Sequence, residues 1–438
     1  VIENPALICA AYVGLLIVLC LAGLHVATVM AVIAVAGALA FLGPPAVLNI
    51  GNLAWSTSNE FLLISAPLFI LMGELLLRSG VTDRMYSALA VWLGGIPGGL
   101  LHTNIASCSV FAAISGSSVA TAATIGTVAL PALRQRGYSE RLSLGSIVAG
   151  GTLGILIPPS VNMIIYGAMT DTSIGRLFAA GVVPGIALAL AFMGLILAIS
   201  LSKGGTWARQ QGPAPPMGER LRALMHLLPI GFVFLVVMGS LYAGFATPTE
   251  SAALGVLAAA AVAWWYKSLT LAVLNEAFRS TVRITGMVML IIVAAFFLNF
   301  ALSLIGLPQA ITQWVKGLGI SPLETIWLLF VVYLVLGCFL ETLSMMITTI
   351  PVVTPLVVAL GFDPVWFGVF VVLMCELALI TPPVGMNLFV VQGLRPPGAD
   401  INDVILGVLP FVAVMMLMTG LLIYFPDLAL WLPRQFFD

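Results

Sequence analysis

Charge is the scarcest property of this chain. Only 8% of its 438 residues are Asp, Glu, Lys or Arg, whereas 61% are hydrophobic. That is too few charges to solvate a globular surface of this size, so a water-soluble fold is excluded and the chain belongs in a bilayer. The net charge of -1 then says little about partners; what matters is where the sixteen Lys and Arg fall. Histidine and cysteine are sparse too. His25, His102 and His226 lie at the ends of apolar segments and form no cluster, which argues against a zinc site. Cys9, Cys20, Cys108, Cys338 and Cys375 sit inside apolar runs without paired spacing, and read as core filler with no redox task. The chain lacks a Gly-rich phosphate loop ending in Gly-Lys-Ser or Gly-Lys-Thr, a Ser-His pairing and an HExxH string, so neither ATP hydrolysis nor intramembrane enzyme chemistry is expected of it. The first apolar run, residues 5 to 22, has no basic flank and reads as a spanning helix rather than a cleavable signal.

What the chain has in abundance is apolar runs near the roughly 20 residues that a span requires. They fall at 5–22, 26–43, 61–78, 177–201, 224–243, 249–266, 284–304 and 403–425. Residues 45–60, with Asn52, Trp55 and Asn59, suit a helix lying along the interface, and 268–283, with Glu276, Arg279 and Arg283, form a second amphipathic stretch. Two longer runs are broken in the middle. Residues 100–134 are interrupted by SGSS at 115–118, and 322–360 near Glu341 to Ser344, leaving pieces too short to cross alone. Each is expected to be a re-entrant hairpin. Each is followed by a proline-broken helix, at 142–169 and 365–393. The only sizeable polar linker, 203–222, separates residues 1–202 from 223–438.

The two halves share their punctuation. A shift of 224 positions places Pro131 on Pro355, Gly137 on Gly361 and Pro158-Pro159 on Pro382-Pro383, and also matches Gly95, Ile96, Thr124, Val128 and Leu153 with identical residues. Prolines and glycines in register matter more than scattered Leu or Val, because they fix where helices break. With five crossings and one hairpin per half, the second half enters the membrane from the opposite side, which makes the repeats inverted. The basic residues agree with this. If the linker is cytoplasmic, thirteen Lys or Arg lie inside and only Arg176, Lys316 and Arg434 lie outside, with both termini periplasmic. The expected fold is therefore an all-α polytopic membrane protein of two inverted repeats, with helices in 5–43 and 224–266 as scaffold.

Four breaks then converge near mid-depth, where an unpaired backbone group costs several kcal/mol unless protein, water or an ion satisfies it. Carbonyls freed by proline, with Ser, Thr and Asn oxygens, make a hard-oxygen cage for a monovalent cation such as sodium, while the amide ends of half-helices favour a small anion. The candidates are Ser115, Ser117, Ser118 and Thr121 at the first tip, Thr342 and Ser344 at the second, and Ser160, Asn162, Thr381 and Asn387 at the breaks. The bland alternative is that these small residues only permit close helix packing. Glu74 and Glu250 read as structural. Glu341, beside the second tip, either tunes cation binding or satisfies tip amides, and Glu376 has no obvious partner in sequence. Polar residues gathered at four breaks, rather than along a lining, favour a carrier over a channel.

The strings PLFILMGELLLRSG (67–80), ISGSSVATAATIGTVALP (114–131), GILIPPSVNMIIYG (154–167), GFATPTESAALGV (244–256) and TPPVGMNLFVV (381–391) resemble the large membrane subunit of tripartite ATP-independent periplasmic (TRAP) transporters, in the family's order and over nearly the whole chain. The resemblance implies a sodium-coupled importer of organic acids in the bacterial inner membrane, working as an elevator in which a block of hairpins and broken helices slides on a scaffold. Its implied partners are a small four-helix membrane subunit and a periplasmic substrate-binding protein; nucleic acid is not among them. It implies one sodium site formed by Ser115, Gly116 and Ser117 with Pro158, Ser160 and Asn162. A second would be formed by Glu341 and Thr342 with Thr381, Gly385 and Asn387. The substrate would lie against Ser117, Ser118, Thr121, Ser160, Thr342 and Ser344. Where the family often has small polar residues before the second TPP string, this chain has Cys375-Glu376. A stand-alone sodium-coupled dicarboxylate or citrate-type carrier of the same architecture is the nearest alternative.

Overall fold

A computed structural model describes residues 5–202 and 216–437, and every regular element among them is a helix. The greater part of the polar linker, 203–215, lies outside the described residues, as does the side chain of Cys9. Among the described residues, six helices are long and apolar enough to cross a bilayer, or seven if the bent pair Met217–Leu224 and Leu228–Tyr242 is one span. The two broken runs are hairpins. Leu100–Ser115 and Ser118–Gln135 are joined at Gly116, whose φ of 60° is the left-handed turn that a glycine makes cheaply. Their far ends are tied together, since the Leu100 amide donates to the Tyr138 hydroxyl at 3.2 Å. In the second, Pro322–Gly337 and Thr342–Ala359 fold back so that the Tyr333 hydroxyl and Thr349 Oγ1, each eight residues from Glu341, meet at 2.7 Å.

The 224-residue offset extends to the helix bounds. Ser118–Gln135 is matched at both ends by Thr342–Ala359, and Glu140–Leu156 by Pro364–Ile380. Pro158-Pro159 and Pro382-Pro383, each with a cis peptide, then break the helix in each half before Val161–Thr170 and Met386–Gly393 resume. Glu140–Leu156 and Pro364–Ile380 form the centre of the molecule and touch each other. The most apolar stretch within Glu140–Thr170 is 94% buried by protein, so this run meets almost no lipid. At one end Arg395, only 3% exposed in its side chain, gathers Glu140 (3.1 Å), Asp403 (3.3 Å), the Gln392 side chain (2.9 Å) and the Asp400 carbonyl (2.6 Å). Arg141 joins through Asp403 at 2.9 Å, so charges from both halves lock the ends of the broken helices together.

Some boundaries differ from the sequence reading. The amphipathic stretch at 268–283 and the span at 284–304 are one helix of 35 residues, Leu271–Ile305, because no proline and only one glycine, Gly286, interrupts it. The expected interfacial helix at 45–60 is two short helices, Pro44–Leu48 and Ile50–Ser58, which lead through a 3-10 turn into Ser65–Arg78. Three short helices, Val81–Leu93, Leu307–Gly317 and Asp427–Phe437, had no counterpart in the hydropathy reading, since each is too short and too mixed to register as a span. Ser65–Arg78 packs along Pro248–Trp265. The Thr249 hydroxyl donates to the Phe61 carbonyl at 3.0 Å, and Gly255 lets Met72 approach so closely that a Cβ there would fall 2.6 Å from its sulfur.

Candidate functional site

The first tip is built by its own hydroxyls. Ser117 caps Ser118–Gln135 by accepting from the Ala120 amide, Thr121 Oγ1 donates to the Ser117 carbonyl at 2.8 Å, and Ser115 Oγ meets Thr121 Oγ1 at 2.9 Å. The finished turn is pressed onto the first broken helix. Ser118 Oγ donates to the Thr152 carbonyl at 3.0 Å, and a Cβ on Gly154 would fall 2.6 Å from the Ser117 carbonyl oxygen. Gly116 lies against the break itself, where a Cβ would stand 3.0 Å from the Pro159 carbonyl oxygen. Beyond Pro158 and Pro159, Ser160 caps Val161–Thr170 by accepting from the Met163 amide at 3.4 Å. Asn162 is 3% exposed and its Nδ2 has no hydrogen-bond partner.

The second tip is capped by a charge. Glu341 occupies the position that Ser117 holds in the first, and its carboxylate accepts from the Ser344 amide (3.2 Å), Ser344 Oγ (3.0 Å) and Thr342 Oγ1 (3.1 Å). A carboxyl group suits this place at a helix N-terminus, where its oxygens meet the free amides of the first turn. Cys375 Sγ donates to the Thr342 carbonyl at 3.5 Å, and Gly337 abuts Ala378, so this tip rests on Pro364–Ile380 as the first rests on Glu140–Leu156.

Both tips face one cavity of about 140 Å³. Of the candidate residues, Ser115, Gly116, Ser117, Ser118, Asn162, Glu341 and Thr342 line it. Thr121, Ser160 and Ser344 stand behind the lining and hold the tips and break in shape. Pro158 is also absent from the lining. Thr381, Gly385 and Asn387 of the second break do not line the cavity. Thr381 Oγ1 donates to the Leu377 carbonyl at 2.6 Å, and Gly385 is folded against the Leu379 and Thr381 carbonyls. Asn387 points into the first half, its Nδ2 donating to the Val148 carbonyl at 3.5 Å, while its buried Oδ1 has no donor. An acceptor without a donor is what a cation ligand leaves behind, so Asn387 fits a hard-oxygen site. Of the helix before this break, Leu379 reaches the cavity.

The opposite wall was not foreseen. Ile70, Gly73, Glu74 and Leu77 line the cavity from Ser65–Arg78, with Ile284 and Val288 from Leu271–Ile305. Their spacing of three, four and seven is a helical stripe that the sequence displays, but nothing in the sequence says what it faces. Glu74 Oε1 accepts from Ser280 Oγ at 2.8 Å, and its other oxygen pairs with Arg78, which also reaches Glu276 at 3.6 Å. Gly73 brings this wall against the first tip, since a Cβ there would stand 3.3 Å from the Ser115 main chain.

A bundle of apolar helices, with two capped hairpin tips and a proline break closing on a small, mostly apolar cavity with a few polar groups, is the architecture of a polytopic membrane transporter. The solved fold of the Alcanivorax borkumensis YdaH transporter is similar, with a TM-score of 0.60 over 90% of each chain at 15% identity. Residues 13–428 match the model of the family described as tripartite ATP-independent periplasmic transporter, DctM component, and the chain belongs to that family. It is 34% identical to the C4-dicarboxylate TRAP transporter large permease protein DctM of Pseudomonas aeruginosa, over 91% of this chain and 92% of the relative. It is 31% identical to the sialic acid TRAP transporter large permease protein SiaM of Vibrio cholerae, over 86% and 87%. The chain is thus a transporter subunit and not an enzyme.

Proposed function

We propose that this chain is the transport subunit of a sodium-coupled, secondary active system that takes up small organic acids. The carrying observation is the single cavity on which both hairpin tips and the first break converge. The relatives named for C4-dicarboxylates and for sialic acid have carboxylate substrates in common. A carboxylate suits the start of Ser118–Gln135, where the Ser118 and Val119 amides and the unpaired Asn162 amide offer donors and no lining Lys or Arg is needed. Sodium, as the co-transported ion, suits the oxygens of Ser115, Gly116 and Ser117 with Pro158, Ser160 and Asn162. A second ion suits those of Glu341 and Thr342 with Thr381, Gly385 and Asn387. Ser117, Ser118, Thr121, Ser160, Thr342 and Ser344 shape the substrate's side of the cavity.

The system is completed by a small four-helix membrane subunit and a periplasmic binding protein, in the bacterial inner membrane with both termini periplasmic. The halves are inverted repeats, and the block of hairpins and broken helices moves as an elevator past a scaffold that includes Val26–Phe41 and Pro248–Trp265. The contact between Met30 Sδ and Thr348 Oγ1, at 3.7 Å, then crosses the sliding boundary. In a cysteine-free background, Met30→Cys with Thr348→Cys joined by a short thiol linker stops uptake, and reductive cleavage restores it; undiminished uptake after linking refutes the elevator. Proteoliposomes with all three components take up substrate only down an imposed sodium gradient. Equal uptake with potassium refutes sodium coupling, and uptake without the binding protein refutes the tripartite assembly.

A further inference from the structure

Basic side chains from three elements gather at one corner of the bundle without counter-charge. Arg84, in Val81–Leu93, lies over the Tyr266 ring at 4.1 Å, and Lys267 follows that ring directly in the chain. The Trp92 indole, also in Val81–Leu93, donates to the Arg220 carbonyl at 2.9 Å, which fastens Met217–Leu224 with its Arg220 and Arg222 to the same helix. Among the described residues none of these four cations has an ion pair, and the Arg220 Nε is buried without a hydrogen-bond partner. The acids beside them in the chain, Asp83 and Glu219, stand in the first turns of their own helices and pair with none of the four. The rest of the polar linker supplies no balance either, since residues 203–215 contain Lys203 and Arg209 but no Asp or Glu.

A groove of about 420 Å³ opens beside these charges. It forms where Met217–Leu224 bends by 41° away from Leu228–Tyr242, which itself packs on Pro248–Trp265. Met225, Leu228, Phe232, Val262, Trp265 and Tyr266 line it, so its walls are almost wholly apolar. Trp264 and Trp265 are both more than 70% exposed at the end of their helix, the place where indoles sit at headgroup depth. A groove of this kind, with unpaired cations at its mouth, fits a molecule that has an apolar chain and an anionic head. A partner's transmembrane helix could cover the walls but would leave the cations unanswered. A zwitterionic phospholipid brings an ammonium of its own, which the cations repel. An anionic phospholipid meets both demands at once, its chain in the groove and its phosphate against guanidinium and ammonium groups.

We propose that this groove binds one anionic phospholipid of the surrounding bilayer, with an acyl chain along Phe232 and Val262 and the phosphate held by Arg84, Arg222 and Lys267. The site is independent of sodium coupling, of the elevator and of which leaflet this corner faces. Each basic residue near a membrane surface favours an anionic lipid by about fivefold, so three together favour it by roughly 100-fold.

The test offers the purified full chain phosphatidylglycerol and phosphatidylcholine with the same acyl chains, mixed in detergent, and reads the retained lipid by native mass spectrometry. Wild type is expected to keep a single phosphatidylglycerol, preferred over phosphatidylcholine by roughly 100-fold. Arg84→Gln, Arg222→Gln and Lys267→Gln combined are expected to erase that preference. Lys316→Gln, which removes an exposed cation on a helix away from the groove, is expected to keep it. A second measurement needs no variant to fold. Brominated phosphatidylglycerol is expected to quench wild-type tryptophan fluorescence at a lower mole fraction than brominated phosphatidylcholine, and the difference shrinks toward 1 M salt, where the screening length is about 3 Å. Equal retention and equal quenching by the two lipids overturn the proposal. A preference that survives the triple variant places the lipid elsewhere and overturns this site. If the small membrane subunit expels the lipid, and shields Met225→Cys from thiol labelling in a cysteine-free background, the groove is a helix-docking surface and the proposal fails.

Discussion

Gly154 is the position where one added carbon should cost most. It lies in Glu140–Leu156 directly beneath the first tip, and a Cβ there would fall 2.6 Å from the Ser117 carbonyl oxygen and 2.7 Å from both the Ser117 carbonyl carbon and Ser118 Cα. All three are backbone atoms, so no side-chain rotation relieves the clash. Ordinary contact is restored only if the tip lifts by about 1 Å. That movement stretches the 3.0 Å hydrogen bond from Ser118 Oγ to the Thr152 carbonyl and carries Gly116 off the Pro159 carbonyl. Overpacking of this kind costs about 1–3 kcal/mol, and a weakened buried hydrogen bond adds about 1 kcal/mol. The functional loss should be larger than the loss of stability, because the displaced residues line the cavity and a 1 Å error in positioning is worth about 100-fold in rate. The assay is initial uptake by the reconstituted three-component system, normalised to protein in the membrane, together with the unfolding temperature. Gly194→Ala is the internal control. It lies within Ile174–Ser202 with open space around its Cβ position, so the same change is expected to be neutral or stabilising by about 0.5–1 kcal/mol. Wild-type uptake and stability in Gly154→Ala would refute the tip-on-helix packing.

Two further changes probe the charges. Glu341→Gln keeps the size of the second cap and removes its charge, so the sodium concentration for half-maximal uptake is expected to rise at least about tenfold; an unchanged value would remove Glu341 from the cation site. Arg395→Met keeps the apolar stem but removes one partner each from Glu140 and Asp403, which keep Arg134 (3.3 Å) and Arg141 (2.9 Å), so the expected loss is small, about 1 kcal/mol, read as a lower unfolding temperature.

The sequence by itself determined the class, the breaks and the family. Eight percent charge leaves a chain of this length no alternative to the bilayer, and the paired prolines and the SGSS string mark breaks legible without coordinates, whereas single prolines such as Pro131, Pro184 and Pro355 stand inside unbroken helices. The 224-residue shift was legible for the same reason. Helix continuity through 271–305 was misjudged because hydropathy records polarity, while the backbone hydrogen-bond ladder runs on through Glu276, Arg279 and Arg283 unless something breaks it. Only the tertiary structure decided which breaks share a cavity. Both tips and Asn162 do, whereas Asn387 turns toward Val148 in the other half. It also set Glu74 on the facing wall and left Glu376 without a partner between the two broken helices. Such contacts join residues far apart in the chain, Asn387 with Val148 among them, and glycines such as Gly73, Gly154 and Gly337 let neighbouring backbones approach. Local chemistry decides where a chain bends, but what the bend then faces depends on how every other helix packs.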